Sequence, residues 1–360
     1  MALELRNVTK RVGAETHIYD TTLSLDPGGF NILLGATSAG KSTLIKLLAG
    51  LEKPTTGEVW VDGENVTGMN PQKRNISLVH QFFVNYPHMT VFENIASPLR
   101  VAGVPKSEIA GRVEEAANIL QLGPMLQRRP QELSGGQQQR CALARAIVKE
   151  SRAIFLDEPL ANLDYKLREE LREQLPELLA GRGTVVVYAT SEPTEALLLG
   201  GHTALMHEGR VTQFGPTAQI YRAPANLNSA AVFSDPPMNL AQVTKAGAEM
   251  RLGDRLTWPV MGEAAALADG SYTVGIRPHH VTPTPPSEPS ISVEGQVQIT
   301  ELSGSESIAH FEIGAQSWVS LSAGIHPYEV GEAHVFHMVP AHCYYFDANG
   351  ALAARGAAHG

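Results

Sequence analysis

The chain has 360 residues, of which 43% are hydrophobic and 18% charged, and its formal net charge is −9. This length predicts two domains, and the composition is that of an ordinary globular protein. The acidic balance argues against a partner held by neutralising nucleic-acid phosphates. No apolar run reaches the length that spans a bilayer, and the two cysteines, Cys141 and Cys343, do not predict a disulfide framework.

The first part of the chain alternates predicted strands with predicted helices. Short apolar or alternating runs predict strands at residues 3–8, 23–25, 30–34, 59–61, 76–79, 154–156 and 184–190. Helices are predicted from residue 44 to the glycine at residue 50, over about residues 86–149, and from Asp164, where the apolar face would carry Leu167, Leu171, Leu175 and Leu178. A hairpin is predicted around Glu208 and Gly209. This alternation is typical of an α/β domain with a largely parallel sheet.

The loop after the strand at residues 30–34 carries the phosphate-loop pattern G-x-x-x-x-G-K-[ST]. Here it reads Gly35, Ala36, Thr37, Ser38, Ala39, Gly40, Lys41 and Ser42, followed by Thr43. Between a strand and a helix, such a loop directs backbone N–H groups and a helix N-terminus at polyphosphate. We expect Lys41 to reach the β- and γ-phosphates of a nucleotide and the Ser42 hydroxyl to ligate Mg²⁺.

A second part of the predicted site is the strand at residues 154–156, which ends in Asp157 and Glu158. An acidic residue at the end of a buried strand beside a phosphate loop can hold the hydration shell of Mg²⁺, and Asp157 has this position. Glu158 is then the candidate general base for the attacking water, a role that contributes about 10²–10⁴-fold. The alternative is a strand that ends in two surface acids, which the upstream phosphate loop disfavours.

A further anion-binding pattern is Leu133, Ser134, Gly135, Gly136 and Gln137, which precedes a predicted helix. Two glycines, a serine hydroxyl and a helix N-terminus favour an anion, although the same residues could form a flexible turn at a helix start. A second anion site in one chain makes sense if it serves the nucleotide of another chain.

Taken in order, the phosphate loop, Gln81, L-S-G-G-Q, I-F-L-D-E and Asn162-Leu163-Asp164 resemble the ATPase subunit of an ABC transporter, over residues 1–235. The runs at residues 86–95 and 157–168 resemble the subgroup that drives carbohydrate and polyol import, such as the maltose importer. Three further runs resemble the oligomer-binding-fold regulatory module of that group, over residues 236–360; they lie at 275–278, 301–306 and 346–347. The resemblance predicts an α/β P-loop NTPase with a helical subdomain, followed by a small all-β domain.

The resemblance also implies a mechanism. Two ATPase domains would close head to tail on two ATP molecules, so that Ser134 and Gly136 contact the γ-phosphate bound by the partner. Gln81 would sense Mg²⁺ and the γ-phosphate, and Asp164 would cross the dimer interface. The implied partners are a second ATPase subunit, two membrane-spanning permease subunits and, indirectly, a solute-binding protein, with no nucleic acid. The implied location is peripheral, on the cytoplasmic face of a bacterial inner membrane.

Three positions depart from the family pattern. Ser191 stands where a histidine normally contacts the γ-phosphate, and the loss of one such donor costs about 10²–10³-fold. Val12 stands where an aromatic ring normally stacks on adenine, although His17 or Tyr19 could substitute. Ser38 occupies a position where glycine is common, which is tolerable if the backbone there suits a β-carbon.

These departures favour a heterodimer in which this chain holds the slow site and its intact L-S-G-G-Q completes the fast one. The run at residues 188–201 is also similar to one ATPase subunit of bacterial glycerol importers, which use two different ATPase subunits. The alternatives are a homodimer in which Ser191 suffices, a soluble ABC ATPase that acts on DNA or ribosomes, and a mainly regulatory chain. A DNA- or ribosome-directed ATPase would carry coiled-coil insertions or tandem cassettes.

Overall fold

The structure is a computed structural model that describes residues 2–82, 84–161, 163–179, 183–253, 256–314 and 316–359. Asn162, the first residue of the motif Asn162-Leu163-Asp164, lies outside the described residues. The chain divides into two compact units, Met1–Ala218 and Gln219–Gly360. Each unit has its own elements and core.

The first unit contains ten strands and six complete helices among its described residues. The strands are β1 (Leu3–Val12), β2 (Glu15–Leu25), β3 (Phe30–Leu34), β4 (Thr56–Val61), β5 (Glu64–Asn65), β6 (Ile76–Val79), β7 (Ala153–Asp157), β8 (Val185–Thr190), β9 (His202–His207) and β10 (Arg210–Pro216). The helices are α1 (Lys41–Ala49), α2 (Val91–Val101), α3 (Lys106–Ile119), α4 (Gly135–Ile147), α5 (Tyr165–Leu179) and α6 (Pro193–Leu199). A seventh helix, α7 (Thr217–Arg222), crosses the division between the units.

Two sheets form this unit. One is antiparallel, in the order β2-β1-β4-β5, and the other has the order β10-β9-β3-β8-β7-β6. In the second sheet β9, β3, β8, β7 and β6 are parallel, and β10 pairs antiparallel with β9. β3, β7 and β8 are buried along their whole length, which explains their nearly continuous apolar sequences. The predicted α/β domain with a largely parallel sheet is confirmed.

The core of this unit joins both sheets through α1. Leu5 of β1, Leu44 of α1 and Phe155 of β7 belong to one buried apolar cluster. The end of α1 is fixed by Gly50, which has a positive φ of 75° and donates from its backbone N–H to the Leu47 carbonyl. The phosphate loop therefore starts from a buried strand and leads into a helix that is anchored by packing.

The second unit is almost entirely β-structure. Its strands are β11 (Asn239–Ala246), β12 (Glu249–Leu252), β13 (Leu256–Pro259), β14 (Gly270–Ile276), β15 (Val281–Thr282), β16 (Ile291–Leu302), β17 (Glu306–Ile313), β18 (Gln316–Ala323), β19 (Ala333–Met338), β20 (Tyr344–Phe346) and β21 (Leu352–Arg355), preceded by α8 (Leu227–Val232). They form two sheets, β13-β12-β11-β14-β20-β21 and β15-β19-β16-β17-β18. Trp258, Trp318 and Phe336 are buried in one shared core, and the predicted all-β module is confirmed.

The division between the units lies earlier than the predicted boundary at residues 235 and 236. Ala230 clusters with Tyr344 and Phe346, both from β20 in the second unit. Arg277 donates from one guanidinium nitrogen to the Tyr344 hydroxyl (2.6 Å) and from another to the Tyr221 carbonyl (2.6 Å). Residues 219–235 therefore pack with the β-module, because their apolar and hydrogen-bonding partners lie there.

Two local predictions are corrected. The buried face of α5 continues at Leu179 and not at Leu178, which is only half-buried. The small residues at 351–360 predict a frayed end, but Leu352–Arg355 forms β21 and pairs with β20, and Ala354 is buried. Small side chains give no strand pattern in the sequence of this segment. The strand forms because it pairs with β20.

Candidate active site

The phosphate loop lies between β3 and α1, as predicted. A β-carbon at Gly35 would be 2.4 Å from the Met206 carbonyl oxygen, so only glycine fits there. Gly40, at the start of α1, has a φ of 101°. Ser38 has a φ of 70°, in the region that disfavours residues with a β-carbon by about 1–2 kcal/mol. The departure at Ser38 therefore stores local strain, and the backbone does not adjust to remove it.

The Lys41 side chain is almost completely buried, with 4% exposure. Its ammonium group donates to the carbonyls of Gly35 (2.7 Å) and Ala36 (3.0 Å). The same nitrogen is 3.3 Å from a carboxylate oxygen of Glu158. A cation is thus held beneath the loop in contact with the residue predicted to act as the base.

Three other predicted side chains, those of Ser42, Gln81 and Asp157, lie near Lys41 and Glu158 at the carboxyl edge of the parallel sheet. The Ser42 hydroxyl donates to Asp157 (3.0 Å), and the Gln81 amide donates to Glu158 (3.0 Å). Asp157 ends β7, and Gln81 follows the end of β6, the strand beside it. Because β6 and β7 are parallel, both side chains lie at the carboxyl edge, where ligands of open α/β sheets bind. The structure brings together Lys41, Ser42, Gln81, Asp157 and Glu158.

Asp157 has an unusual electrostatic environment. Its side chain is buried, and this burial raises the pKa of the carboxyl above its ordinary value. The hydrogen bond from Ser42 and the charge of Lys41 oppose that shift, whereas the charge of Glu158 adds to it. A bound divalent cation would favour the ionised form, and the hydroxyl and carboxylate oxygens of Ser42 and Asp157 are the donor types that Mg²⁺ prefers.

Glu158 is held in a strained backbone conformation with a φ of 48°. Its N–H donates to the Ala189 carbonyl of β8 (3.0 Å), which fixes the turn after β7. Its carboxylate contacts Lys41 and Gln81, as described above. Strained residues cluster at functional sites, and this one carries the group best placed to accept a proton.

Lys41, Ser42, Gln81 and Glu158 line a cavity of about 700 Å³, and Asp157 is linked to it through its hydrogen bond with Ser42. Its other walls come from Glu15, Thr16, His17 and Tyr19 of β2 and from the turn at Glu208 and Gly209. The sequence identified His17 and Tyr19 only as possible substitutes for an aromatic residue, and it did not identify the other four. Nothing in their local pattern signals a ligand, because they reach the cavity through the pairing of distant strands.

A second cavity, of about 670 Å³, lies at the opposite edge of the same sheet. Asn75, Arg152 and Thr184, which line it, immediately precede β6, β7 and β8. Volume alone does not distinguish the two cavities. The cavity at the carboxyl edge is the candidate active site, because it contains the phosphate loop and follows the general rule for parallel sheets.

The remaining predicted site residues lie outside this cavity. Val12, at the end of β1, and Ser191, after β8, are exposed and do not line it. Ser134 caps α4: its hydroxyl accepts from the Gln137 N–H (3.3 Å), and the Gln137 side chain accepts from the Ser134 N–H (3.0 Å). Gly135 and Gly136 form the first turn of α4. Asp164 caps α5 by accepting from the Leu167 N–H (3.1 Å), as predicted.

Comparison with known proteins agrees with this geometry. The family model described as "ABC transporter" matches residues 18–161, and the one described as "TOBE domain" matches residues 274–346. The chain is 38% identical, over 97% of its length and 98% of the relative's, to the sn-glycerol-3-phosphate import ATP-binding protein UgpC of Yersinia enterocolitica. The chain belongs to the ATP-binding subunits of ABC transporters. The protein of the same name from Escherichia coli is 40% identical over 88% of this chain and 89% of its own.

Solved structures support the assignment of this ABC ATPase. A dimeric post-hydrolysis state of the ATP-binding cassette MJ0796 bound to ADP and Pi is 30% identical, with a TM-score of 0.55 over 60% of this chain and 98% of that one. A structure titled "Structure of ATP binding subunit of ABC transporter" is 25% identical, with a TM-score of 0.57 over 62% of this chain and 92% of that one. The predicted family and the predicted ATP hydrolase activity coupled to transport are confirmed.

The surface beyond Gln81 is unusually apolar. Phe82 and Val84 are 82% and 59% exposed, and Val101 at the end of α2 is 89% exposed. Val101 and Tyr86 line a groove of about 360 Å³, in which the Arg145 guanidinium lies 4.3 Å from the centre of the Tyr86 ring. Across the described ranges, none of the helices combines the length and apolar character needed to cross a bilayer.

Proposed function

We propose that this ABC ATPase binds ATP with Mg²⁺ and hydrolyses it to drive import of glycerol 3-phosphate or glycerol through membrane-spanning permease subunits. The observation that carries the proposal is that Lys41, Ser42, Gln81 and Glu158 line one cavity, with Gln81 and Lys41 bound to Glu158 and Asp157 bound to Ser42. The relatives' names support glycerol 3-phosphate, and the resemblance of residues 188–201 supports glycerol.

Each residue of the group has a chemical task. Lys41 and the N–H groups of the phosphate loop, up to Thr43, bind the β- and γ-phosphates. Ser42 and Asp157 would hold Mg²⁺, with Gln81 beside them, and the ion supplies charge neutralisation at the phosphate oxygens. Glu158 accepts the proton of the attacking water, and Gln81 fixes the orientation of that carboxylate through its amide.

The proposal includes a second ATPase chain. Ser134, Gly135, Gly136, Gln137 and Asp164 lie outside the cavity of this chain, at the N-termini of α4 and α5. This position supports the hypothesis that they complete the nucleotide site of a partner. Ser191 is shorter than histidine and lacks its ring, which favours a heterodimer over a homodimer.

The groove that Tyr86, Val101 and Arg145 line, together with the exposed side chains of Phe82 and Val84, is the proposed contact for a permease subunit. Phe82, Val84 and Val101 expose apolar surface that is energetically unfavourable in water, and this supports a protein partner. Gln81 directly precedes Phe82 and hydrogen-bonds Glu158, so a partner that contacts Phe82 would act on the base through one residue. With this contact the chain would be peripheral on the cytoplasmic face of the inner membrane, with a solute-binding protein as an indirect partner.

The first test is the steady-state ATPase activity of the purified chain and of its Ser191→His and Glu158→Gln variants. A wild type with brisk turnover that Glu158→Gln lowers by about 10²–10⁴-fold supports the assigned base and a homodimer. A silent wild type that becomes active as Ser191→His supports the heterodimer. If all three are silent, the same assay is repeated with a co-purified ATPase chain, and persistent silence would contradict the proposal.

Uptake into vesicles tests the transport function. Vesicles that contain the complete transporter are supplied with labelled glycerol 3-phosphate or labelled glycerol, and the labelled solute that accumulates identifies the substrate. Lys41→Ala should abolish accumulation, because it removes the main phosphate ligand. Uptake that is unchanged in Lys41→Ala would indicate a purely regulatory chain.

A further inference from the structure

We propose that the His17 imidazole receives the base of the bound nucleotide, a task that the family pattern gives to the residue at position 12. This inference rests on the proposed function, since it requires ATP in the cavity beside the phosphate loop. It assigns the base-binding surface to a different strand, β2 instead of β1.

The residues that line the cavity and the proposed role of Glu158 together orient the nucleotide. Gln81 and Glu158 mark the end at which the γ-phosphate reacts, and the phosphate loop lies next to them. The remaining walls are Glu15, Thr16, His17 and Tyr19 of β2 and the turn at Glu208 and Gly209. A triphosphate held by Lys41 and oriented toward Glu158 therefore places its base against β2.

His17 is held against the phosphate loop by backbone contacts. The Tyr19 N–H donates to the Gly209 carbonyl (2.9 Å), and the Gly209 N–H donates to the Ala39 carbonyl (3.0 Å). A β-carbon at Gly209 would be 2.4 Å from the His17 carbonyl oxygen, which shows how closely the two segments approach. These contacts fix the distance between His17 and the loop that binds the phosphates.

The imidazole itself is available to a ligand. The His17 side chain is 38% exposed, and its Nε2 is 3.7 Å from a carboxylate oxygen of Glu15. Both residues line the cavity. A flat aromatic ring that is partly exposed at the mouth of a nucleotide cavity is suited to stacking on a base.

The two other candidates are less suitable. Val12 is 51% exposed, does not line the cavity and offers no aromatic surface. The Tyr19 ring lines the cavity, but the Arg210 guanidinium lies 3.7 Å from its centre and covers one face. His17 remains as the aromatic residue of β2 whose ring is placed for the base.

Calorimetric titration with ATP and with inorganic tripolyphosphate tests the inference. Tripolyphosphate shares the phosphates of ATP but lacks the base, so it reports on the phosphate loop alone. The full chain and its His17→Ala variant are compared with both ligands. We expect His17→Ala to weaken ATP binding about tenfold and to leave tripolyphosphate binding unchanged.

Three variants serve as comparisons. His17→Phe keeps a ring and should restore ATP affinity. His310→Ala is a matched control in the second unit, because His310 is 31% exposed and its Nε2 also lies 3.7 Å from a glutamate, Glu301; it should change neither affinity. Val12→Ala should leave ATP affinity unchanged. If Val12→Ala lowered ATP affinity and His17→Ala did not, the inference would be overturned.

The remaining outcomes are also decisive. Equal affinities of the wild type and His17→Ala for ATP would overturn the inference, as would an equal loss for ATP and tripolyphosphate. Neither result would affect the proposed function, which requires ATP to bind but does not depend on which residue receives the base. If the wild type bound neither ligand, both the proposed function and the inference would be wrong.

Discussion

Lys41 and Glu158 form an ion pair at 3.3 Å beside the phosphate loop. Both side chains are largely removed from water, with exposures of 4% and 16%. The principal phosphate ligand is therefore paired with the principal base. An incoming γ-phosphate must compete with the carboxylate for the ammonium group, and the carboxylate is repelled by the phosphate as well.

We predict that Glu158→Gln binds ATP about three- to tenfold more tightly than the wild type, although it hydrolyses ATP far more slowly. The amide keeps the shape of the side chain but no longer competes for Lys41. Calorimetry in the absence of turnover measures the effect. Glu208→Gln is the matched control, since Glu208 lines the same cavity without contacting Lys41. Equal tightening in both variants would attribute the effect to general loss of negative charge.

At the scale of elements, Arg74 links the end of α1 to the segment after β5 through hydrogen bonds. It ends the 3-10 helix Pro71–Arg74, and its buried guanidinium donates to the carbonyls of Leu48 (2.9 Å), Val66 (2.6 Å) and Met69 (3.3 Å). Burial lowers the pKa of this guanidinium below its ordinary value. A β-carbon at Gly50 would be 2.3 Å from Arg74 Cζ, so the arginine also requires the glycine that ends α1.

We predict that Arg74→Met lowers the free energy of unfolding by about 2–4 kcal/mol, because the carbonyls it serves lose their donor inside the protein. Urea titration followed by circular dichroism provides the measurement. Lys73→Met is the control: Lys73 is the exposed neighbour in the same turn, and its substitution should change the free energy by less than about 0.5 kcal/mol. Similar losses in the two variants would show that the hydrogen bonds of Arg74 contribute little.

Elements were predictable where the signal is local. β3, with four apolar residues out of five, and the Asp164 cap of α5 need only their own neighbours in sequence. The same holds for half of the candidate site, since the phosphate loop is one continuous motif. The pairing of β21 with β20 and the contacts of the turn at Gly209 could not be predicted. Their contacts are with β20 and with residues 17–19, and no local pattern in a single sequence encodes such pairings.

At the scale of the whole molecule, the division at residues 218 and 219 gives the second unit a segment that sequence reasoning assigned to the first. Phe233 is 2% exposed, and its ring lies edge-on to Tyr221, with centres 5.8 Å apart. Tyr221 in turn lies under the Arg277 guanidinium, 3.7 Å from it. Helix α8 and its flanks thus complete the core of the β-module.

We predict that a fragment of residues 219–360 unfolds cooperatively, whereas one of residues 236–360 is less stable by about 3–5 kcal/mol. The shorter fragment exposes the surface that Phe233 covers and leaves Arg277 without the Tyr221 carbonyl. Thermal unfolding of both fragments measures the difference. Equal melting temperatures would place the functional boundary at residue 235, as the sequence indicated.

The backbone link through Gly209 has a consequence for folding. It joins the phosphate loop to β2, which belongs to the antiparallel sheet, and to β9 and β10, which belong to the parallel one. A nucleotide in this cavity would rest on both sheets at once, so it binds only a chain in which they are already assembled. Binding is then coupled to assembly: at one hundred times its dissociation constant, the nucleotide adds about 2.7 kcal/mol to the stability of the junction. The substrate of this enzyme would thereby also serve as a ligand that holds its two sheets together.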